Sequence, residues 1–164
     1  MAWALVEPIE DAVAAYVLAN GATKLAAVEA RYADADTLDD FAVIRQHEPP
    51  PFPEAEYPAL YIMSERLELE PVATGLANGF EGEARFEFAL IVWGPDATTA
   101  RRRGKRYAVA LLEMLAEMIP STGYDFGTGP KPAVEYLPLY TLDSGEYLAD
   151  VRVTIGVDMT EGAL

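Results

Sequence analysis

The chain opens with apolar positions three and four residues apart. Ile9, Val13, Tyr16 and Val17 recur at helical spacing, with Val6 just before them. Pro8 suits a first helical position, Glu10 and Asp11 complement the dipole of a first turn, and Asn20-Gly21 reads as the stop. Leu25, Val28 and Tyr32 then mark one face of a second, alanine-rich helix over residues 22–33. After residue 58 the period changes to two. Leu67 and Leu69 alternate with Arg66, Glu68 and Glu70 in a strand over 59–70. Ala84, Phe86, Phe88, Leu90 and Val92 form one face of a strand over 83–93, with Glu83, Arg85 and Glu87 on the solvent side. Between the two runs Pro71 to Gly82, with Asn78-Gly79 as a turn signal, predicts a long antiparallel hairpin with an extended tip.

Asp96 is placed to cap the longest helix, over 97–119. Its apolar stripe runs Ala100, Gly104, Tyr107, Ala108, Leu111, Leu115 and Met118, and Gly104 within it predicts close packing against the sheet. Pro120 is expected to end this helix. A Gly- and Pro-rich loop follows over 121–133, then a short strand over 134–142 broken at Pro138. In the last strand Tyr147, Ala149, Val151, Val153, Ile155 and Val157 alternate with polar residues such as Asp150, Arg152 and Thr154. The order α, α, β, β, long α, β, β predicts an α+β fold. Its antiparallel sheet has about four strands with helices packed on one face, and the long helix lies between the hairpin and the C-terminal strands. A length of 164 residues makes this one domain, 1–164.

Composition narrows the function classes. With 51% hydrophobic and 24% charged residues, wholesale disorder is excluded. No apolar run approaches the ~20 residues of a membrane span, and Met1-Ala-Trp-Ala-Leu-Val lacks the basic start of a signal peptide. The chain has no cysteine, which excludes disulfides, thiol catalysis and Cys-ligated metals. Its 27 acidic and 12 basic residues give a net charge of −15, which repels nucleic-acid phosphates. Five cations cluster within six positions: Arg101, Arg102, Arg103, Lys105 and Arg106. Three arginines at the start of a helix oppose its dipole, so they need solvation or an acidic partner. A basic face meeting an acidic face on a neighbouring copy would supply one.

Other candidate chemistry is sparse. His47 is the single histidine, so neither a triad nor a two-His metal site forms within one chain. Ser64, Ser121 and Ser144 lie outside any Gly-x-Ser-x-Gly motif. Gly123 to Lys131 has some look of a phosphate loop, but Pro130 removes an amide donor and no Ser or Thr follows Lys131. Asp34, Asp36, Asp39 and Asp40 follow the order of a calcium loop only in part, with Leu38 at the fifth position and Asp39 where glycine is needed; a solvated turn is expected. Pro49, Pro50, Pro51, Pro53 and Pro58 predict a stiff segment, either an arm docking on a neighbour or a covered connection. Composition leaves a carboxylate pair of the glycosidase kind open, because its separation is set by the fold.

As an ordering of elements, the chain resembles the tail terminator (tail completion) proteins of long-tailed bacteriophages. Three features carry the resemblance: the N-terminal helix from Glu7 to Asn20; the proline-bounded strand entry Glu56-Tyr-Pro-Ala-Leu-Tyr-Ile62; and the hairpin, the long helix bearing Arg101 to Arg106 and the strand Tyr147 to Val157. It implies a structural virion protein of the tail-neck region, assembled in the host cytoplasm. Such proteins form a homo-oligomeric, hexameric ring that caps the tail tube and joins it to the head connector. Implied partners are the tail tube protein and a connector or neck protein, with DNA passing through unread and no membrane. The resemblance implies no catalytic residue, metal or cofactor. Arg101, Arg102, Arg103, Lys105 and Arg106 are the expected contact with a neighbouring copy, and Asn78, Gly79 and Phe80 at the hairpin tip the expected contact with an axial partner. Two alternatives stand beside it: another head-tail neck component, and a small acidic ligand-binding domain or carboxylate-based enzyme.

Overall fold

The computed structural model describes residues 3–49, 56–74, 77–122 and 132–161. Helix α1 (Trp3–Glu29) is followed by β1 (Val43–Arg45), β2 (Ala59–Thr74) and β3 (Ala77–Gly94). Helix α2 (Ala97–Thr122) then leads to β4 (Ala133–Tyr136), β5 (Tyr140–Thr141) and β6 (Tyr147–Glu161). The strands form one sheet in the order β1-β2-β3-β6-β4, with β5 pairing farther along β6. All pairs are antiparallel except β1 with β2. The architecture is α+β, as the alternation predicts. The sheet has six strands where about four were expected. The extra width comes from β1, three residues without an alternation to read, and from the division of the 134–142 segment into β4 and β5 around Pro138.

One helix replaces the two expected at the N-terminus. It starts at Trp3, so Pro8 lies inside it, and it passes through Asn20-Gly21 without a stop. Gly21 is used for approach: a Cβ there would sit 3.1 Å from Asp40 Oδ1 and 3.5 Å from the Phe41 ring. Asn20 lies within the helix and donates its side-chain amide to the Tyr16 carbonyl at 2.9 Å. Ile9, Val13, Val17, Leu25 and Val28 line the buried side. Tyr32 falls beyond the helix, 44% exposed, and is not a core residue.

Both helices cover one face of the sheet. Leu60, Ile62, Phe86, Phe88, Leu90, Val151, Val153 and Ile155 meet Val13, Tyr107, Leu111, Met114 and Met118 in the main core. A smaller apolar cluster lies on the opposite face, where Ala59, Tyr61, Ala89, Ile91 and Leu148 are buried with Tyr57, Trp93 and Leu142 packed against them. A bulge reconciles the two halves of β2. Ser64 stands opposite Phe86 and Arg66 opposite Arg85, so Glu65 is one residue extra. Even-numbered Leu60 and Ile62 face the helices before it; odd-numbered Leu67, opposite Ala84, faces them after it.

Close approach of α2 is set by two glycines. A Cβ on Gly94 would come within 2.4 Å of the Ala100 backbone nitrogen, and one on Gly104 within 2.9 Å of Val151 Cγ2 and 3.3 Å of Ala149 Cβ. Asp96 caps the helix as expected: its carboxylate accepts from the Thr99 amide at 2.9 Å and the Thr99 hydroxyl at 2.6 Å. The Thr99 hydrogen bonds hold the Asp96 carboxyl below the usual carboxylate range. The helix continues to Thr122, past Pro120.

Candidate functional site

The N-terminal half of α2 presents the five clustered cations, and the fold divides them into two groups. Arg102, Arg103 and Arg106 turn toward the loop after α1. Arg106 is 3% exposed and donates both terminal nitrogens to Asp34, at 3.1 and 2.5 Å. Arg103 binds Asp36 Oδ1 through Nε at 2.8 Å and also reaches the Trp93 carbonyl at 3.3 Å. Arg102 Nε meets Asp36 Oδ2 at 3.3 Å. The Arg106 guanidinium lies 3.9 Å over the Tyr32 ring, and that of Arg103 5.3 Å from the Trp93 ring. The Arg106 hydrogen bonds hold the Asp34 carboxyl below its usual range, while Asp34 raises Arg106. Instead of a solvated turn, Asp34 and Asp36 are the anionic half of a clamp. Its loop is pinned further by Leu38, whose side chain is buried in the core and whose amide donates to Glu29 Oε2 at 2.9 Å. Tyr107 completes it by donating to the Asp39 carbonyl at 2.5 Å, and burial pushes its hydroxyl up.

Arg101 and Lys105 point elsewhere. They are exposed and make no salt bridge among the described residues. One turn apart on α2, they line one wall of a cleft of about 420 Å³. Its other wall is the sheet edge: Leu137, Pro138 and Leu139 between β4 and β5, with Ala149 and Val151 of β6 behind. Lys105 Nζ lies 5.9 Å from the centre of the Tyr136 ring, which is half exposed. Among the described residues Asp150 is the one carboxylate lining this cleft, and Arg152 holds it through Nε at 2.6 Å and an NH2 bond at 2.8 Å. Arg152 also donates to Glu87 at 2.7 Å. The cleft is thus apolar with a cationic wall, and its described lining holds no pair of carboxylates.

The hairpin is paired farther than its sequence suggests. Asn78, Gly79 and Phe80 lie within β3, opposite Ala73, Val72 and Pro71, and the pairing continues to Thr74 opposite Ala77. The expected turn at Asn78-Gly79 is therefore displaced toward the N-terminus. Phe80 is held on its other side by Glu161 of β6, so β3 is central there and stays extended. Val72 and Thr74, β-branched residues, suit the opposing strand.

Elsewhere, His47 lies in the exposed loop after β1, its Nδ1 2.7 Å from the Glu48 carbonyl and its ring 5.7 Å from that of Tyr61. The proline segment connects β1 with β2; residues 50–55 of it, and 123–131 of the phosphate-loop-like segment, lie outside the described residues. Among the described residues no group of three or more His, Asp or Glu is placed to hold a metal ion, and no helix is long and apolar enough to cross a membrane.

No family model matches the chain, and no curated protein matches it. Among solved structures, a chain in the virion of a native gene transfer agent particle is similar at 13% identity with a TM-score of 0.28. The likeness covers 72% of this chain and 79% of that one. A superposition that loose, at that identity, carries no argument about the role of this chain.

Proposed function

We propose that the chain is a structural virion protein that closes into a homo-oligomeric ring, caps the tail tube and joins it to the head connector. The reading starts from the element order that resembles the tail terminators. One observation supports it most: the sheet ends in two unlike open edges. Among the described residues β1 pairs only with β2, and β4 only with β6. The β4 edge adjoins an apolar cleft with two cations that make no salt bridge among the described residues, and the β1 edge adjoins the stretch of α1 that carries Glu7, Glu10 and Asp11. A closed ring needs two different surfaces on each subunit, one for each neighbour. The projecting hairpin would reach the tube or the connector. From Leu67 to Thr74, β2 runs on for about 23 Å at the rise of a strand. DNA would pass without being gripped, since a subunit of net charge −15 offers phosphate no general attraction.

The test is negative-stain imaging of the purified protein, alone and mixed with polymerised tail tubes. Rings in solution, or caps on one tube end only, are the expected result. Tube ends left bare and still able to grow would overturn the reading.

A further inference from the structure

We infer that a second copy of the chain docks the outer flank of its α1, led by Leu18 with Glu7 and Asp11, in the Arg101–Lys105 cleft of its neighbour. The inference deepens the ring reading and rests on it.

Leu18 is 75% exposed, more than any other large hydrophobic residue of the described chain. It sits two helical turns beyond Asp11 on the same face, about 10 Å along the axis. That face looks away from α2. The α2-facing side of α1 is marked by Tyr16 and Lys24, which bond Glu117, and Arg31 just beyond the helix, which bonds Glu113. Asp11 instead accepts from Gln46, the residue after β1, at 2.9 Å. Leu18 and Asp11 therefore belong to the β1 flank of the molecule, and the cleft to the β4 flank.

The two flanks match in kind. The cleft offers Leu137, Pro138 and Leu139 as apolar surface beside Arg101 and Lys105. The α1 flank offers Leu18 beside Glu7 and Asp11, both exposed, with Glu10 half-buried nearby. Arg45 on the same flank is outnumbered by these three acids. Because the matched surfaces differ, the contact is heterologous: each copy presents one of each, and copies add head to tail until the rotation closes. The clamp cations Arg102, Arg103 and Arg106 take no part, since Asp34 and Asp36 occupy them.

Two charge-reversed chains test the contact: one carrying Arg101→Glu with Lys105→Glu, the other Glu7→Lys with Asp11→Lys. Each alone is expected to lose at least tenfold in association by sedimentation, with an unchanged melting temperature. An equimolar mixture regains it, because every reversed cleft then meets a reversed flank. Wild-type association by the first chain, or a mixture no better than its parts, overturns the inference.

The absence of native cysteine gives a second arm that does not depend on association in free solution. A chain with Leu18→Cys and a chain with Leu139→Cys are mixed on tail tubes and oxidised. Disulfide-linked heterodimers are expected in excess over either homodimer. Capped tubes without heterodimers overturn the docking surface and leave the ring reading standing. Heterodimers with bare tubes overturn the capping role and leave the surface standing.

Discussion

At the scale of single residues, five neighbouring cations do two different jobs, and their sequence spacing hides this. Arg106 is buried against Asp34, 72 positions away in the chain, whereas Arg101 next to the same cluster has no anionic partner among the described residues. Breaking a buried pair leaves an uncompensated charge. Arg106→Glu is expected to destabilise the fold by about 2–4 kcal/mol, discounted for the exposure of its partner. Urea titration at neutral pH reads this directly, and Arg101→Glu in the same titration should leave the midpoint unchanged. An assembly defect from Arg106→Glu would therefore report unfolding and say nothing of an interface. Acid adds a second prediction. The Asp34 and Glu113 carboxyls are depressed in the folded chain, first by their hydrogen bonds to Arg106 and Arg31. A depressed folded value means the unfolded chain binds protons more readily. The stabilisation is then complete above the ordinary values of 3.8 and 4.5 and is lost as pH falls through the lower folded ones. The urea midpoint should fall steeply below about pH 4, and Asp34→Asn should flatten that limb while lowering stability at pH 7.

At the scale of elements, β3, β6 and α2 were legible because one period holds over each of them, whereas β2 changes phase at its bulge. Phe86, Phe88 and Leu90 keep step throughout β3, as Val151, Val153 and Ile155 do in β6, and every one is buried. Signals that rest on one or two residues divided: the Asp96 cap and the close approach at Gly104 are as read, while two Asn-Gly pairs are not what their chemistry suggests. Asn20-Gly21 has the chemistry of a helix stop, yet the glycine serves packing against Asp40 and Phe41. Asn78-Gly79 has the chemistry of a hairpin turn, yet both residues are paired with β2, opposite Ala73 and Val72, and β6 joins β3 from Phe80 onward. The cleft was invisible for a related reason: its walls are brought together by β4 and β6 pairing, which no local pattern encodes. Gly94 tests this picture of packing. Gly94→Ala drives a methyl into the Ala100 backbone, which cannot rotate aside as a side chain can. An expected cost of about 2–3 kcal/mol is measurable by thermal unfolding, with near-wild-type stability as the contrary result. The register also dictates how to shorten the hairpin. Replacing 71–80 by a two-residue turn removes whole cross-strand pairs, since Pro71 faces Phe80. That chain should fold, with its melting temperature near wild type, and fail to cap tubes; unimpaired capping would remove the hairpin from the contact.

At the scale of the whole molecule, the question is how subunits of net charge −15 associate at all. Two such charges about 40 Å apart, the spacing expected for a domain of this length, repel by about 6 kcal/mol at roughly 10 mM salt, where the Debye length is about 30 Å. At roughly 150 mM the Debye length is about 8 Å and the same repulsion falls well below about 1 kcal/mol. Contact pairs such as Arg101 with a neighbouring carboxylate respond far less, because their separation is shorter than either screening length. The apolar part of the contact, Leu18 against Leu137 and Leu139, does not weaken with added sodium chloride through screening at all. Long-range repulsion is therefore the term that salt removes first. Self-association of the wild-type chain is expected to strengthen between roughly 10 and 150 mM salt and to decline only gently above that, where the contact pairs are screened in turn. Sedimentation velocity across that series checks the order of the two effects. A steady fall from the lowest salt upward would mean that attraction between exposed charge pairs outweighs the long-range repulsion even where that repulsion is least screened.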